Sequence, residues 1–186
     1  MKSFKRWVLV FVAITIAVIV VSRTRQSTEP QSQVETLAVR IGPPDIYPDS
    51  IRTPGAVDPD ITQDNIQENI CNSGWSTKSI RPRASYTSRL KLEQIQQYGY
   101  SDTDPADYEE DHLIPLEIGG NPSDPKNLWP EPYYPSIPDG GARAKDQVEN
   151  YLHKQVCAGN LTLEEAQKEV AADWYRIYVT FVRRDF

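Results

Sequence analysis

Cysteine is scarce in this sequence, and basic residues are not in excess. The chain of 186 residues contains two Cys, too few for a disulfide scaffold or a four-cysteine zinc site. No glycine-rich phosphate loop and no G-x-S-x-G turn occurs, so P-loop, dinucleotide-binding and α/β-hydrolase chemistry lack their usual signals. The formal net charge of −6 excludes a strongly basic nucleic-acid coat protein. The hydrophobic share of 39% suits one domain joined to a part that is not globular.

The longest hydrophobic run lies at the N-terminus. Residues 7–21 carry no charge, and Lys2, Lys5 and Arg6 precede them. The run is shorter than the ~20 residues of a usual membrane helix, although flanking arginines extend such a span by snorkelling. We expect an uncleaved signal anchor over residues 1–22, inserted through 7–21 with its N-terminus in the cytoplasm. A cleaved signal peptide is the alternative, and in both cases the rest of the chain lies outside the cytoplasm.

A linker and one folded domain are predicted after this segment. Residues 23–70 are polar and proline-rich without a sustained hydrophobic period, which is typical of a flexible linker. The amphipathic patterns lie in residues 71–186. They predict a helix at 88–97 that ends at Gly99, and a helical hairpin over 142–182.

The segment between these helices has a different character. Prolines recur from 105 to 138, which excludes long helices and central strands there. Short strands remain compatible with residues 111–116 and 127–129. Thr162 and Glu165 have the spacing of a capping box at the start of the last helix. The fold class expected is therefore α+β, a small domain with a short two-stranded part and flanking helices.

The two cysteines are expected to pair. In an oxidising compartment, two Cys in one domain usually form a disulfide, here between Cys71 and Cys157. The alternative is a zinc site, because His153 and Cys157 are four residues apart and share a face if the segment is helical. Such a site would need two more ligands.

Asp111 and His112 are the first candidates for chemistry. They follow two glutamates and open an apolar stretch, in the segment YEEDHLIPLEIGG. A carboxylate beside a histidine can divide the work of hydrolysis, since the carboxylate holds a divalent cation while the imidazole accepts a proton from water. A solvated acidic turn is the alternative interpretation.

The surrounding residues resemble a known family. The segment DHLIPLEIGGNPSDPKN at 111–127, followed by Leu128 and a helix, resembles the HNH (ββα-metal) nuclease motif. The wider chain is similar to small exported or membrane-anchored HNH-like proteins. The residues that fit this wider pattern are Cys71, Trp75, Tyr86, Thr87, Trp129, Pro130, Glu131, Pro132, Lys145 and Asp146. The resemblance implies a ββα-metal core within the α+β domain.

The resemblance also implies roles for single residues. His112 would be the general base, Asp111 a ligand of Mg²⁺ or another divalent ion (Mn²⁺, Ni²⁺ or Zn²⁺), and Asn127 a brace for the loop. The family's last histidine has no counterpart at the start of the following helix. Asp146, Glu149 and His153 share one helix face with Asn150, and one of them would replace that ligand. Alternatively, this face is solvated, with Lys145 paired with Glu149 and Glu149 paired with His153.

The expected substrate is nucleic acid. The candidate contacts to phosphate are Arg81, Arg83, Arg89, Lys91 and Lys145. The alternative is that the cationic run pairs with the acidic loop at 102–111. Together these features predict a divalent-metal-dependent endonuclease that cleaves DNA, with RNA as second choice, outside the cytoplasm and without an obligate protein partner. The alternative function is an inactive HNH-like binding or structural module.

Overall fold

The structure, a computed structural model, describes residues 40–183. Their helices and strands are α1 Ile66–Asn69, α2 Ala84–Tyr98, β1 Tyr108–His112, β2 Leu128–Pro132, α3 Ala142–Cys157 and α4 Leu163–Ile177. Short 3₁₀ helices lie at Pro44–Ile46, Thr77–Ser79, Pro105–Asp107 and Leu116–Ile118, and a π-helical turn at Tyr178–Val182 follows α4. The predicted α+β class is confirmed, because a two-stranded antiparallel hairpin is followed by helices.

The hairpin tolerates proline because of its register. The amide of Tyr133 donates to the carbonyl of Asp107, two residues beyond the pair formed by Glu109 and Glu131. Hydrogen-bonded pairs in an antiparallel ladder alternate with pairs that are not hydrogen-bonded. Pro130 and Pro132 therefore fall on the second kind of position, where the missing N–H removes no ladder bond.

Both strands differ in extent from the sequence prediction. Strands were expected at 111–116 and 127–129, and they lie at 108–112 and 128–132. Leu113, Ile114 and Leu116 are buried outside any strand, with exposures of 1%, 5% and 3%. Their hydrophobicity reflects a loop that folds into the core rather than pairing along a sheet.

The predicted helices are confirmed, and local signals define their ends. Gly99 ends α2 in the left-handed region, with φ of 69°. Thr162 and Glu165 form the expected capping box at the start of α4. Gly141 precedes α3, where a Cβ atom would stand 2.5 Å from the carbonyl oxygen of Tyr133. Glycine therefore allows the start of α3 to lie directly against the end of β2.

The main core lies between α3, α4 and the chain that precedes α2. Trp174 is fully buried, and its indole N–H donates to the carbonyl of Ile46 at 2.9 Å. The residues of this core that lie on α3 and α4 are Ala144, Val148, Leu152, Val156, Leu163, Ala166, Val170, Trp174, Tyr175 and Ile177. Burial of their apolar surface is the principal force that holds α3 in place.

The described part of the expected linker is packed onto the domain, in contrast to the prediction. Within residues 40–70, the side chains of Ile46, Ile66 and Ile70 are at most 2% exposed and belong to the core. The hydroxyl of Tyr47 donates to Asp173 at 2.7 Å, at a kink in α4. The scattered apolar residues of this segment thus anchor it individually, without the periodicity of a helix or strand.

The disulfide prediction is confirmed. Cys71 and Cys157 are bonded, with Cα atoms 5.4 Å apart, and the bond joins the end of α3 to the chain after α1. The proposed signal anchor, residues 1–22, lies outside the described residues. No helix within 40–183 has the length and hydropathy needed to cross a bilayer.

Candidate active site

His112 lies at the end of β1 with its ring fixed in one orientation. Its Nε2 atom is 3.0 Å from the carbonyl oxygen of Pro122. Because a carbonyl only accepts hydrogen bonds, Nε2 carries the proton and Nδ1 keeps a free lone pair. Burial lowers the pKa of His112, even though Asp111 and the Pro122 carbonyl act in the opposite direction. The imidazole is therefore neutral at pH 7 and able to accept a proton at Nδ1.

Asn127 fastens the loop that joins the two strands. Its Oδ1 accepts from the amide of Ile114 at 2.9 Å, and its Nδ2 donates to the carbonyls of Ile114 at 3.0 Å and Asn121 at 3.1 Å. The side chain is fully buried. In the same loop, a Cβ on Gly120 would lie 1.8 Å from the carbonyl oxygen of Ile114. The loop that carries Pro122 is therefore tightly held, and through it the ring of His112.

The carboxylate of Asp111 is bound by an ammonium group. Lys145, on the first turn of α3, places Nζ 2.6 Å from Asp111 Oδ2, 2.6 Å from Glu149 Oε1 and 2.6 Å from the carbonyl oxygen of His112. Lys145 is 0% exposed. Of the alternative given above, the pair of Lys145 and Glu149 is present, but it is buried and not on a solvated face. Asp111 and His112 point to opposite faces of β1, as the alternation of a strand requires.

A second buried acid completes this cluster. Glu131 on β2 is fully buried, and burial together with the charge of Asp111 raises its pKa well above the usual range. This shift favours the neutral form of Glu131 beside the Asp111 carboxylate. Burial opposes ionisation of Asp111 as well, but the charge and the hydrogen bond of Lys145, together with Glu131 and His112, outweigh burial and lower the pKa of Asp111. Burial raises the pKa of Glu149 to about 8, while the charge and the hydrogen bond of Lys145 act in the opposite direction.

Three further acids surround this end of β1. Burial raises the pKa of Glu109, Glu117 and Asp146, and Asp111 adds to this effect at Glu109 and Asp146. The positive charge of Arg81 acts on all three carboxyls and also on His112. Arg81 is exposed. Its positive charge therefore acts on the predicted base from the surface of the domain.

The four predicted metal ligands do not form one set. Lys145 binds Asp111 and Glu149, while Asp146 is exposed on the next position of α3. His153 lies beside the disulfide instead, and its ring packs against Trp75 with centroids 6.4 Å apart. Because the ammonium already uses the carboxylate oxygens that a cation needs, these residues do not fit a divalent ion at Asp111.

The predicted zinc site at His153 has its ligand atoms close together, but its cysteines are oxidised. The ligand atoms of Cys71, His153 and Cys157 all lie within 4.8 Å of one another. The two sulfurs, however, are joined in the disulfide, and thiolates are the form that binds zinc. The structure thus contains the disulfide and not the alternative zinc site.

The predicted phosphate contacts divide into two groups. Arg81, Arg83 and Arg89 are exposed, and Arg89 lies 3.9 Å from the carboxylate of Glu93 on the same helix. Lys91 instead donates to the carbonyls of Pro105 and Tyr108, at 2.7 and 2.8 Å, and joins α2 to the start of β1. Lys145 is fully buried and does not reach a ligand at the surface, in contrast to its predicted role.

The sequence analysis did not predict two residues that contribute to this site, Glu131 and Pro122. Glu131 was noted only as part of the Trp-Pro-Glu-Pro stretch, yet it lies on the same face of the hairpin as Asp111. The strand register, once known, identifies it, because Glu109 pairs with Glu131. Pro122 contributes only its backbone carbonyl, for which no side-chain pattern exists.

Comparison with protein-family models, curated proteins and solved structures gives no match for this chain. Its function is therefore argued from the site.

Proposed function

We propose that this domain hydrolyses phosphodiester bonds in nucleic acid, with DNA preferred to RNA, and that His112 is its general base. The observation that carries the proposal is the state of the imidazole. Its Nε2–H is held by the carbonyl of Pro122, and burial keeps the ring neutral. Neutral imidazole with a fixed tautomer is suited to remove a proton from water at pH 7.

The reaction would proceed by attack of water on phosphorus. Nδ1 of His112 takes a proton from water, the oxygen forms a bond to phosphorus, and the bond from phosphorus to the sugar oxygen breaks. The departing oxygen takes a proton from solvent. Asn127 supports this step indirectly, because its hydrogen bonds fix the loop that carries the Pro122 carbonyl.

The substrate class follows from the exposed arginines. The positive charge of Arg81 acts on His112 and on the neighbouring carboxyls, while Arg83 and Arg89 line a surface hollow with Tyr86 and Ser123. Guanidinium groups bind phosphate with paired hydrogen bonds, and an aromatic ring among them can stack on a base. The overall negative charge suits a protein that releases its substrate after cleavage.

An extracytoplasmic location is part of the proposal. The disulfide supports it, since such bonds persist in oxidising compartments and are rare in the cytosol. The membrane anchor over residues 7–21 remains a prediction from sequence.

Cleavage assays on the full chain test the proposal. Supercoiled plasmid and single-stranded RNA are incubated with wild type, with His112→Gln and with the matched control His153→Gln, which changes the other histidine. Reactions contain Mg²⁺, Mn²⁺ or EDTA. We expect His112→Gln to lose about 10²–10⁴-fold in rate and His153→Gln to retain it. Equal rates in the two variants, or no cleavage in any buffer, would overturn the assignment.

The inactive binding module is the second candidate, and one observation favours it. His112 is only 4% exposed, and Lys145 neutralises the acids expected to hold a metal. This function requires saturable, salt-dependent binding of DNA that Arg81→Ala weakens, without turnover under any ion.

A further inference from the structure

We propose that the ammonium group of Lys145 is the resident cation of this site, occupying the position between Asp111 and Glu149 in place of a divalent metal ion. The part of this inference that concerns catalysis rests on the proposed function. The part that concerns metal binding does not, and it is tested separately.

The hydrogen bonds of Lys145 are complete. An ammonium has three N–H donors, and Nζ has three acceptors at 2.6 Å, namely Asp111 Oδ2, Glu149 Oε1 and the carbonyl oxygen of His112. Two of these are the oxygens predicted as metal ligands. The third belongs to the residue that carries the base. A single side chain therefore makes the contacts that a bound ion would make at this place.

The charges around Lys145 agree with this role. Carboxyls that face the ammonium come from β1, β2 and α3, as Asp111, Glu131 and Glu149. Their charge keeps Lys145 protonated although burial acts against it.

A divalent ion is excluded by position as well as by charge. Mg²⁺ needs several oxygens at about 2.1 Å in near-octahedral geometry. Asp111 Oδ2 and Glu149 Oε1 are already in short contact with Nζ, and Lys145 is 0% exposed, so the ammonium cannot swing out into solvent within this packing. A metal bound to the same oxygens would face the repulsion of a charged group in a medium of low polarity.

The inference also gives Lys145 a role toward His112. The bond from Nζ to the His112 carbonyl fixes the backbone at the end of β1, and the Pro122 carbonyl fixes the ring. Lys145 is thus a positioning residue for the proposed base, not a group that contacts substrate.

Manganese binding to the full chain is the test, measured by the loss of the free Mn²⁺ signal in electron paramagnetic resonance. If wild type binds any Mn²⁺, Asp111→Asn is expected to leave that binding unchanged. Lys145→Ala is expected to gain a site that binds Mn²⁺ at least about tenfold more tightly than wild type, because it frees two carboxylates and removes the competing charge. The double variant Lys145→Ala/Asp111→Asn should lose this gain. The matched control is Lys168→Ala, which removes an exposed lysine that pairs with Glu164 on α4 and should gain nothing.

The outcomes separate the two proposals. Mn²⁺ binding by wild type that Asp111→Asn abolishes would overturn the role of Lys145, whether or not Lys145→Ala folds. A folded Lys145→Ala, verified by circular dichroism, that gains no Mn²⁺ site would overturn it too. Cleavage by wild type that persists in EDTA supports it, and cleavage that requires Mg²⁺ and is lost in Asp111→Asn contradicts it. Absence of all cleavage contradicts only the proposed function, since metal binding is read without turnover.

Discussion

Removal of the Cys71–Cys157 bond is expected to destabilise the domain strongly. The perturbation is the double variant Cys71→Ser/Cys157→Ser, which leaves the side-chain volume nearly unchanged. The two residues are 86 positions apart, and closing a loop of that length in the unfolded chain corresponds to about 4.6 kcal/mol at 25 °C. For a domain of this size, such a loss lowers the melting temperature by about 10–18 °C.

The assay is urea unfolding of the full chain, followed by tryptophan fluorescence. Trp174 is fully buried in the core and reports its loss. The control is Ala158→Ser, which introduces the same hydroxyl at the exposed position next to Cys157. Wild type treated with a reducing agent should unfold at the same urea concentration as the double variant. A double variant within about 1 kcal/mol of oxidised wild type would refute the reasoning, because the loop would then not be constrained by the bond.

Three further predictions concern other parts of the domain. Both carboxyl oxygens of Glu110 are buried without a hydrogen-bond partner, and burial raises its pKa to about 8 from a usual value of 4.5, so the folded state keeps a proton that the unfolded chain releases. The free energy of unfolding should therefore fall as pH rises from about 5 to 8. Glu110→Gln should flatten this slope in urea titrations, adding about 1–3 kcal/mol at pH 8 and little at pH 5. A variant with the same slope as wild type would contradict this prediction. Asn127→Ala leaves the amide and carbonyl of Ile114 unpartnered and should cost about 2–4 kcal/mol in urea unfolding, whereas a cost below about 0.5 would show that the loop holds without it. Tyr47→Phe removes the buried hydrogen bond to Asp173 and should cost about 1–2 kcal/mol by thermal unfolding, and no change would mean that this bond does not hold the segment.

Local signals in the sequence predicted the helices. The packing of residues 40–70 onto the domain was not predicted, because it depends on contacts between residues far apart in the chain. The capping box of Thr162 and Glu165 and the stop at Gly99 each act within a few residues, so they can be recognised without a fold. The burial of Ile46 and Ile66 depends on α3 and α4, far along the chain. A flexible linker and an anchored segment therefore look alike in sequence.

The candidate site was predicted as a set of residues but not as an arrangement. Asp111 and Glu149 both contact the ammonium group of Lys145, a group that the resemblance to a metal-dependent family did not place there. Residue type alone made this lysine a surface contact for phosphate. Lys145 is buried because three acceptors surround its Nζ atom. These acceptors come together only when α3 packs against the hairpin.

The bond between Cys71 and Cys157 also determines what happens when the backbone is cut. Both strands, the whole of α2 and all of α3 lie between these two residues, so they form one closed covalent ring. A protease that cleaves once in the exposed turn near Tyr134, whose side chain is 81% exposed, opens the ring without releasing a fragment. The nicked protein would keep its mass apart from one added water, and only reduction would separate the half that carries His112 from the half that carries Lys145.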